Sequence, residues 1–156
     1  MIREANASDY DAMDNVFRVS AKAFCSRSYA CQVIASWAGE PWPDRFLKSK
    51  ESGDEQYVFT LEGKVVCFGS VNLGSHKLVS LFVSPEHSGK SIGQSMLEFL
   101  VARAESSGIP ALKLDSSLNA VSFYERHGFT EIGRSMYRTK NGVEMESVQM
   151  EQKLCP

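Results

Sequence analysis

Little in this sequence could hold a metal or attract a nucleic acid. It has three histidines and four cysteines, and Cys25, Cys31, Cys67 and Cys155 form no Cys-x-x-Cys pair and have no histidine pair beside them. That spacing gives no metal site, and in a reducing compartment the four are simplest as free thiols, Cys67 in the core. No sign of charge dominates: 17 Lys plus Arg against 19 Asp plus Glu leave a net charge of -2. Neither a basic field for nucleic acid nor an acidic disordered tail is present. No window approaches the roughly 18 consecutive apolar residues of a membrane span. The opening "MIREANASDYDAMDNVF" puts Arg3, Glu4 and Asp9 where a secretion signal needs an apolar run, so a cytoplasmic chain with no membrane partner is expected. Repeats, low-complexity segments and long Pro/Gly/Ser linkers are also missing, which leaves one domain over residues 1–156. What remains is a chain 43% hydrophobic, enough to bury a core without staples. Its partner is then a small molecule or another protein.

The patterning divides into two regimes. "MIREA" reads as a short edge strand, and Ser8 or Asp9 is placed to cap a helix whose apolar face includes Met13, Val16, Phe17 and Phe24. Residues 28–50 read as helix in two pieces, broken at "GEPWP", because Pro41 and Pro43 remove backbone donors. From Gln56 the signal is strand: "QYVFTL" and "KVVCFGSVN" flank a turn at Glu62-Gly63, and "HKLVSLFV" follows, an antiparallel meander. Residues 88–106 place Ile92, Met96, Leu97, Leu100, Val101 and Ala104 at helical spacing, ended by Gly108 and Pro110. "ALKLD" is a short buried strand, and a helix over 118–127 stops at Gly128. "FTEIGRSMYR" and "VEMESVQMEQ" then pair across Asn141-Gly142.

Between the meander and the long helix lies "VSPEHSGKSIGQ". A strand, a glycine-containing turn and a helix N-terminus together make a phosphate cradle, since unsatisfied N–H groups and the helix dipole converge there. Gly89-Lys90-Ser91 imitates the end of the ATP-binding loop G-x-x-x-x-G-K-[ST]. That pattern requires glycine at position 84, which is Ser84 followed by Pro85, and an antiparallel meander is not the parallel sheet of an ATPase. In another register, "V-S-P-E-H-S-G-K-S-I-G" resembles V-x-P-x-x-[QR]-x-x-G-x-[GA], the pyrophosphate loop of the GNAT superfamily of acetyl-CoA-dependent N-acetyltransferases. Further on, "NAVSFYERHGF" resembles that superfamily's A-x-x-F-[YF]-x-x-x-G-F through Ala120, Phe123, Tyr124, Gly128 and Phe129. With "SYACQVIASWA" and "NGVEMESVQMEQKL", the likeness extends from Tyr29 to Leu154 and is closest to the branch often called YafP-like.

The resemblance implies an α/β (α+β) fold: a mixed, largely antiparallel twisted sheet of about seven strands, flanked by about four helices and splayed after the fourth strand. It implies acetyl transfer from acetyl-CoA to a small-molecule or peptide amine by direct attack, or else a non-catalytic coenzyme A-binding domain. Ser88, Gly89, Lys90, Ser91, Ile92, Gly93 and Gln94 would surround the pyrophosphate, and Leu81, Phe82 and Val83 would run beside the pantetheine. The main chain of Phe82 and Val83 would pair with its amides, and the Val83 N–H would hold the oxyanion. Tyr124 would donate a proton to the departing thiolate, with Phe123 beside it. Ser117 and Asn119 stand where a cofactor contact is common, and helix capping explains both equally well. Two positions depart from the pattern: Ser88 replaces Gln or Arg, and Ser91 replaces glycine. Whether Ser91 adopts the backbone that glycine supplies is left open by the sequence. So is the general base, for which His76, His87, Glu40 and Asp44 are unranked candidates, while Trp37, Trp42 and Phe46 are candidates for an acceptor wall. Homodimerisation through the last strands is carried over from the family.

Overall fold

The computed structural model describes residues 1–154. Strand β1 (Ile2–Glu4) is followed by helices α1 (Tyr10–Cys25), α2 (Cys31–Ala38) and α3 (Asp44–Glu51). Then come β2 (Glu55–Leu61), β3 (Lys64–Asn72), β4 (Lys77–Val83), α4 (Ile92–Ser106), β5 (Ala111–Ser116), α5 (Val121–Arg126), β6 (Thr130–Arg138) and β7 (Glu144–Lys153). The expected mixed sheet has seven strands in the order β1-β2-β3-β4-β5-β7-β6. There are five α-helices where about four were expected, the break at "GEPWP" leaving α2 and α3 separate. Glu62 and Gly63 both have positive φ, 51° and 77°, the backbone of a tight two-residue hairpin turn.

Two expectations about α1 are corrected. Asn6, rather than Ser8 or Asp9, makes the side-chain cap, and it caps the single 3-10 turn (Ala7–Asp9) that leads into α1: it accepts the Ser8 N–H while Asp9 accepts the Asn6 N–H, and Asp9 makes no side-chain capping bond to α1 itself. Phe24 is 39% exposed while Cys25 in the same last turn is 3% exposed, so the buried face there passes through Cys25, beside Ser117 and Asn119. Asp9 in turn binds both terminal nitrogens of Arg3 at 2.8 Å. Those bonds, with the Asn6 N–H, hold its carboxyl below the ordinary range against the opposing effect of burial. A carboxyl depressed in the folded state adds stability above its unfolded pKa of about 3.9 and loses it as pH falls through the folded value. The Asp9→Asn variant is therefore expected to melt below the parent at neutral pH, the gap closing as pH falls below the unfolded value of about 3.9 and through the lower folded one. A gap of constant size across that titration would assign the loss to packing.

Cores lie on both faces of the sheet. On one, Met13, Val16, Phe17 and Ala21 of α1 meet Val58 and Phe68. On the other, Ile92, Met96, Leu97, Leu100 and Ala104 of α4 pack over Cys67, Val71 and Leu112. Burial of each such Leu or Met contributes about 1.5–3 kcal/mol. The approach of α4 is so close that a Cβ on Gly69 would stand 2.8 Å from Leu100 Cδ1 and 2.9 Å from Met96 Cγ. Glycine is required there by contact rather than by φ.

Candidate active site

The sheet opens where the resemblance implies. Strands β4 and β5 run parallel but share one registered pair, Lys77 with Lys113, where the Lys113 N–H donates to the His76 carbonyl at 3.0 Å. Lys77 Nζ and Asp115 Oδ2, 2.8 Å apart, tie the base of the split. β5 keeps β7 on its other edge along its whole length, and past the one bridge no residue of β4 pairs with β5, so the β5-facing edge of β4 is open. The Ser84 N–H donates to Val66 O at 2.8 Å, and Phe82 stands opposite Phe68. Strand alternation therefore turns the main-chain groups of Phe82 toward β3 and those of Leu81 and Val83 into the gap. Phe82 reaches the site through its ring rather than its main chain.

The strand then enters the loop. Pro85 starts a single 3-10 turn ending at His87, Ser88 is extended, and Gly89 has φ 76°. Ser91 lies in the left-handed region, φ 61° and ψ 16°, and caps α4 with no side-chain bond. This answers the open question: serine takes the glycine backbone. The helix begins at Ile92, not at 88. The first helical N–H to find a carbonyl is that of Ser95, bonded to Ser91 O at 3.0 Å. Among the described residues, the main-chain N–H groups from Gly89 through Gln94 have no protein acceptor, and Ser91 and Gln94 are exposed. Consecutive unpaired donors at the positive end of a 15-residue helix are an anion cradle. The left-handed conformation costs an L-residue about 1–2 kcal/mol, partly returned by the smaller entropy serine loses on folding compared with glycine. Since no capping bond is at stake, Ser91→Gly is expected to raise Tm by about 2 °C. A fall in Tm would mean that the hydroxyl contributes something this geometry does not contain.

Gly93 brings three elements together. A Cβ there would lie 3.3 Å from Val83 Cγ2 and 3.7 Å from Phe123 Cζ. Phe123 packs edge-on against Tyr124, ring centroids 5.2 Å apart, and Tyr124 against Phe129 at 5.7 Å. Tyr124 is 7% exposed and lines a cavity of about 690 Å³. Its hydroxyl has no hydrogen-bond partner among the described residues. Burial, with a smaller contribution from the nearby Cys67 thiol, raises its pKa well above the ordinary phenol value. Burial also pushes the Cys67 thiol up to about 12 and Cys25 to about 11, so neither is a ready nucleophile.

Ser117 and Asn119 stand beside the Cys25 thiol at the end of α1. Ser117 lines the cavity and makes no capping bond, and Asn119 is exposed. Of the four candidate bases, none lines the larger cavity, and only Glu40 lines a smaller neighbour of about 310 Å³. His76 sits exposed at the β3–β4 turn, Asp44 is exposed at the start of α3, and His87 lies in the loop with Nδ1 buried and unpartnered. Trp37, Trp42 and Phe46 do line the larger cavity. Four participants escaped the sequence reading. The Ser70 and Ser80 hydroxyls meet at 2.6 Å on its floor. Tyr29 donates to Glu146 O at 2.6 Å and accepts the Leu118 N–H at 2.9 Å, linking the α1–α2 connection to the turn before α5. Arg45 lines both cavities. Only the position of Tyr29 inside a motif-like stretch could have signalled any of them.

A family model described as acetyltransferase (GNAT) domain matches residues 25–154. The chain belongs to the GNAT acetyltransferase family. The uncharacterised N-acetyltransferase YafP of Escherichia coli K12 is 26% identical over 134 residues, covering 84% of this chain and 81% of that protein. As a member of this GNAT family, the chain is an acetyl-CoA-dependent N-acetyltransferase with acetyl-CoA as cosubstrate. The fold is shared with a GCN5-related N-acetyltransferase from Rhodopseudomonas palustris, TM-score 0.90 and 23% identity, covering 99% of this chain and 95% of that one. It is shared too with PaiA N-acetyltransferase from Thermoplasma acidophilum, solved with coenzyme A, at TM-score 0.77, 22% identity and 98% coverage of each chain. No helix among the described residues is long and apolar enough to cross a membrane.

Proposed function

We propose that this GNAT protein acetylates an amine acceptor by direct attack in a ternary complex, with Tyr124 as the acid toward the departing thiolate. The row of unpaired N–H groups from Gly89 to Gln94, continuous with the open edge of β4, carries the reading. Those donors match a pyrophosphate, and Lys90 adds positive potential. The free main-chain groups of Leu81 and Val83 suit the pantetheine amides, and one of their N–H groups suits the carbonyl oxygen as it becomes an oxyanion. The acceptor nitrogen forms its bond to the acetyl carbon from the side of the larger cavity, and the C–S bond breaks. The thiolate takes the Tyr124 proton, which solvent restores, and the acceptor loses one proton to water. The raised pKa of the phenol keeps that proton in place at working pH. Unactivated Cys25 and Cys67 favour direct attack over a cysteine-bound acetyl intermediate.

The test is a thermal shift followed by turnover. Acetyl-CoA at 100 times its Kd adds about 2.7 kcal/mol of stability, a rise of about 5–11 °C at this chain length. Mg-ATP is expected to add nothing, and thiol release is expected on a panel of amines. Stabilisation by Mg-ATP instead would overturn the pyrophosphate assignment. Stabilisation by acetyl-CoA without turnover on any amine would make this a coenzyme A-binding module.

A further inference from the structure

The cation at the far end of the larger cavity speaks to the acceptor. Arg45 Nε donates to the Trp42 carbonyl at 3.2 Å and stands 3.5 Å from Asp14 Oδ1. Asp14, 2% exposed, is itself held by Arg18 at 2.9 Å and by the Trp42 N–H. The inner edge of the guanidinium is thus fixed. Its plane is supported by Phe17, 4.4 Å from ring centroid to Cζ, and by Trp42 at 5.1 Å. The two terminal nitrogens have no protein acceptor among the described residues. Lys140 Nζ and Lys48 Nζ lie 4.6 and 5.1 Å from the Trp42 ring, and neither has a carboxylate within 4.0 Å among the described residues.

The carboxylates lining the larger cavity are already engaged. Asp115 pairs with Lys77 and Glu146 faces Arg134 at 3.5 Å, while Asp54 accepts from Ser49 and Asn72. Glu40 faces the cations from the smaller cavity, and Asp54 keeps its charge, because both its partners are neutral. The charged residues lining the larger cavity are Arg45, Lys48, Lys77 and Arg138 against Asp54, Asp115 and Glu146, an excess of one positive charge, and the positive side ends in a fixed, planar, two-donor fork. The same cavity runs from that fork to Tyr124, past Phe17 and Phe82, whose rings are 4.9 Å apart.

We infer that the acceptor is an amine that also carries an acidic group, carboxylate or phosphate, received by the terminal nitrogens of Arg45, with Lys48 lining the same cavity and Lys140 the smaller one that shares Arg45. A fixed guanidinium suits either group, because its paired donors match two oxygens of one acid. This rests on the acetyltransferase reading of the same cavity. It is tested by acetyl-CoA turnover on matched pairs: amino acids against their amides, and aminoalkyl phosphates against the corresponding amino alcohols. In at least one series the acidic member is expected to exceed its neutral partner in kcat/KM by about 10-fold or more, and the better series names the acid. Arg45→Gln is expected to abolish most of that ratio through KM. Lys140→Gln, on an exposed hairpin, lowers it about threefold and keeps the test available if the arginine variant does not fold. Equal or greater kcat/KM for the neutral members, an unchanged ratio in the variants, or no turnover of any acidic member by protein that binds acetyl-CoA would each overturn the inference. Failure to bind acetyl-CoA at all would instead strike the reading on which it rests.

Discussion

Tyr124→Phe is expected to lower kcat by about 10- to 1,000-fold, the range of general acid catalysis, and to leave acetyl-CoA affinity within about threefold. Phenylalanine keeps the ring that packs against Phe123 and Phe129, so the change removes one hydroxyl that bonds nothing in the protein. Stability is accordingly expected to hold, because no hydrogen bond within the protein is lost and the ring packing is kept. The sign of the pKa shift adds a second readout. Burial raises the phenol, so the proton-bearing form persists beyond the ordinary phenol value of about 10. Below about pH 10, the alkaline side of the kcat profile should therefore show no loss that disappears in the phenylalanine variant. A kcat equal to the parent's would remove Tyr124 from the chemistry and leave it as packing alone.

Gly93→Val is expected to weaken acetyl-CoA binding by about 30-fold or more, which corresponds to about 2 kcal/mol. The first carbon of the new side chain meets Val83 at 3.3 Å and Phe123 at 3.7 Å, and β-branching adds a second methyl in the same crowded place. Helix α4 must then move off the end of β4, or α5 must move off α4. Overpacking of this kind costs about 1–3 kcal/mol, and either movement misaligns the unpaired N–H groups with the open edge of β4. Gly93→Ala should show the same direction at smaller size. Isothermal titration with acetyl-CoA measures both, with circular dichroism to show that the helices persist. Unchanged affinity in the valine variant would mean that the cradle does not depend on this contact.

The strands and helices were legible because their signals are local. Runs of β-branched and aromatic residues bounded by the Glu62-Gly63 turn and Gly74 marked β2 to β4, 3.6-residue spacing marked α4, and the glycine and proline positions marked the turns. The pairing of "VSPEHSGKSIG" with "NAVSFYERHGF" also carried the family, since each segment has backbone constraints that fix residue types at fixed spacing. Phe24 misled because helical spacing names a face, while the neighbours in space decide which residue of the last turn is covered, and here they cover Cys25. The cap at Asn6 was missed because Asn6, Ser8 and Asp9 lie within four residues and each has a side chain able to cap, and the choice depends on where Arg3 holds Asp9.

Other features belong to the fold alone. The left-handed backbone at Ser91 is decided by where β4 ends and where α4 must begin in order to bury Ile92 and Met96, a constraint no neighbouring residue encodes. The acceptor side was illegible for the same reason: Tyr29, Ser70, Ser80, Arg45 and Lys140 come from five separate elements and connections. Charge and hydroxyl groups scattered over more than a hundred residues look like ordinary surface until the sheet brings them to two cavities that share Arg45. By itself the sequence determined a family and its cosubstrate, because the motifs that carry both are contiguous stretches of backbone. Only the tertiary structure decided which main-chain groups of β4 are free and that the Tyr124 hydroxyl and the terminal nitrogens of Arg45 have no protein partner among the described residues, because each depends on what lies opposite in space.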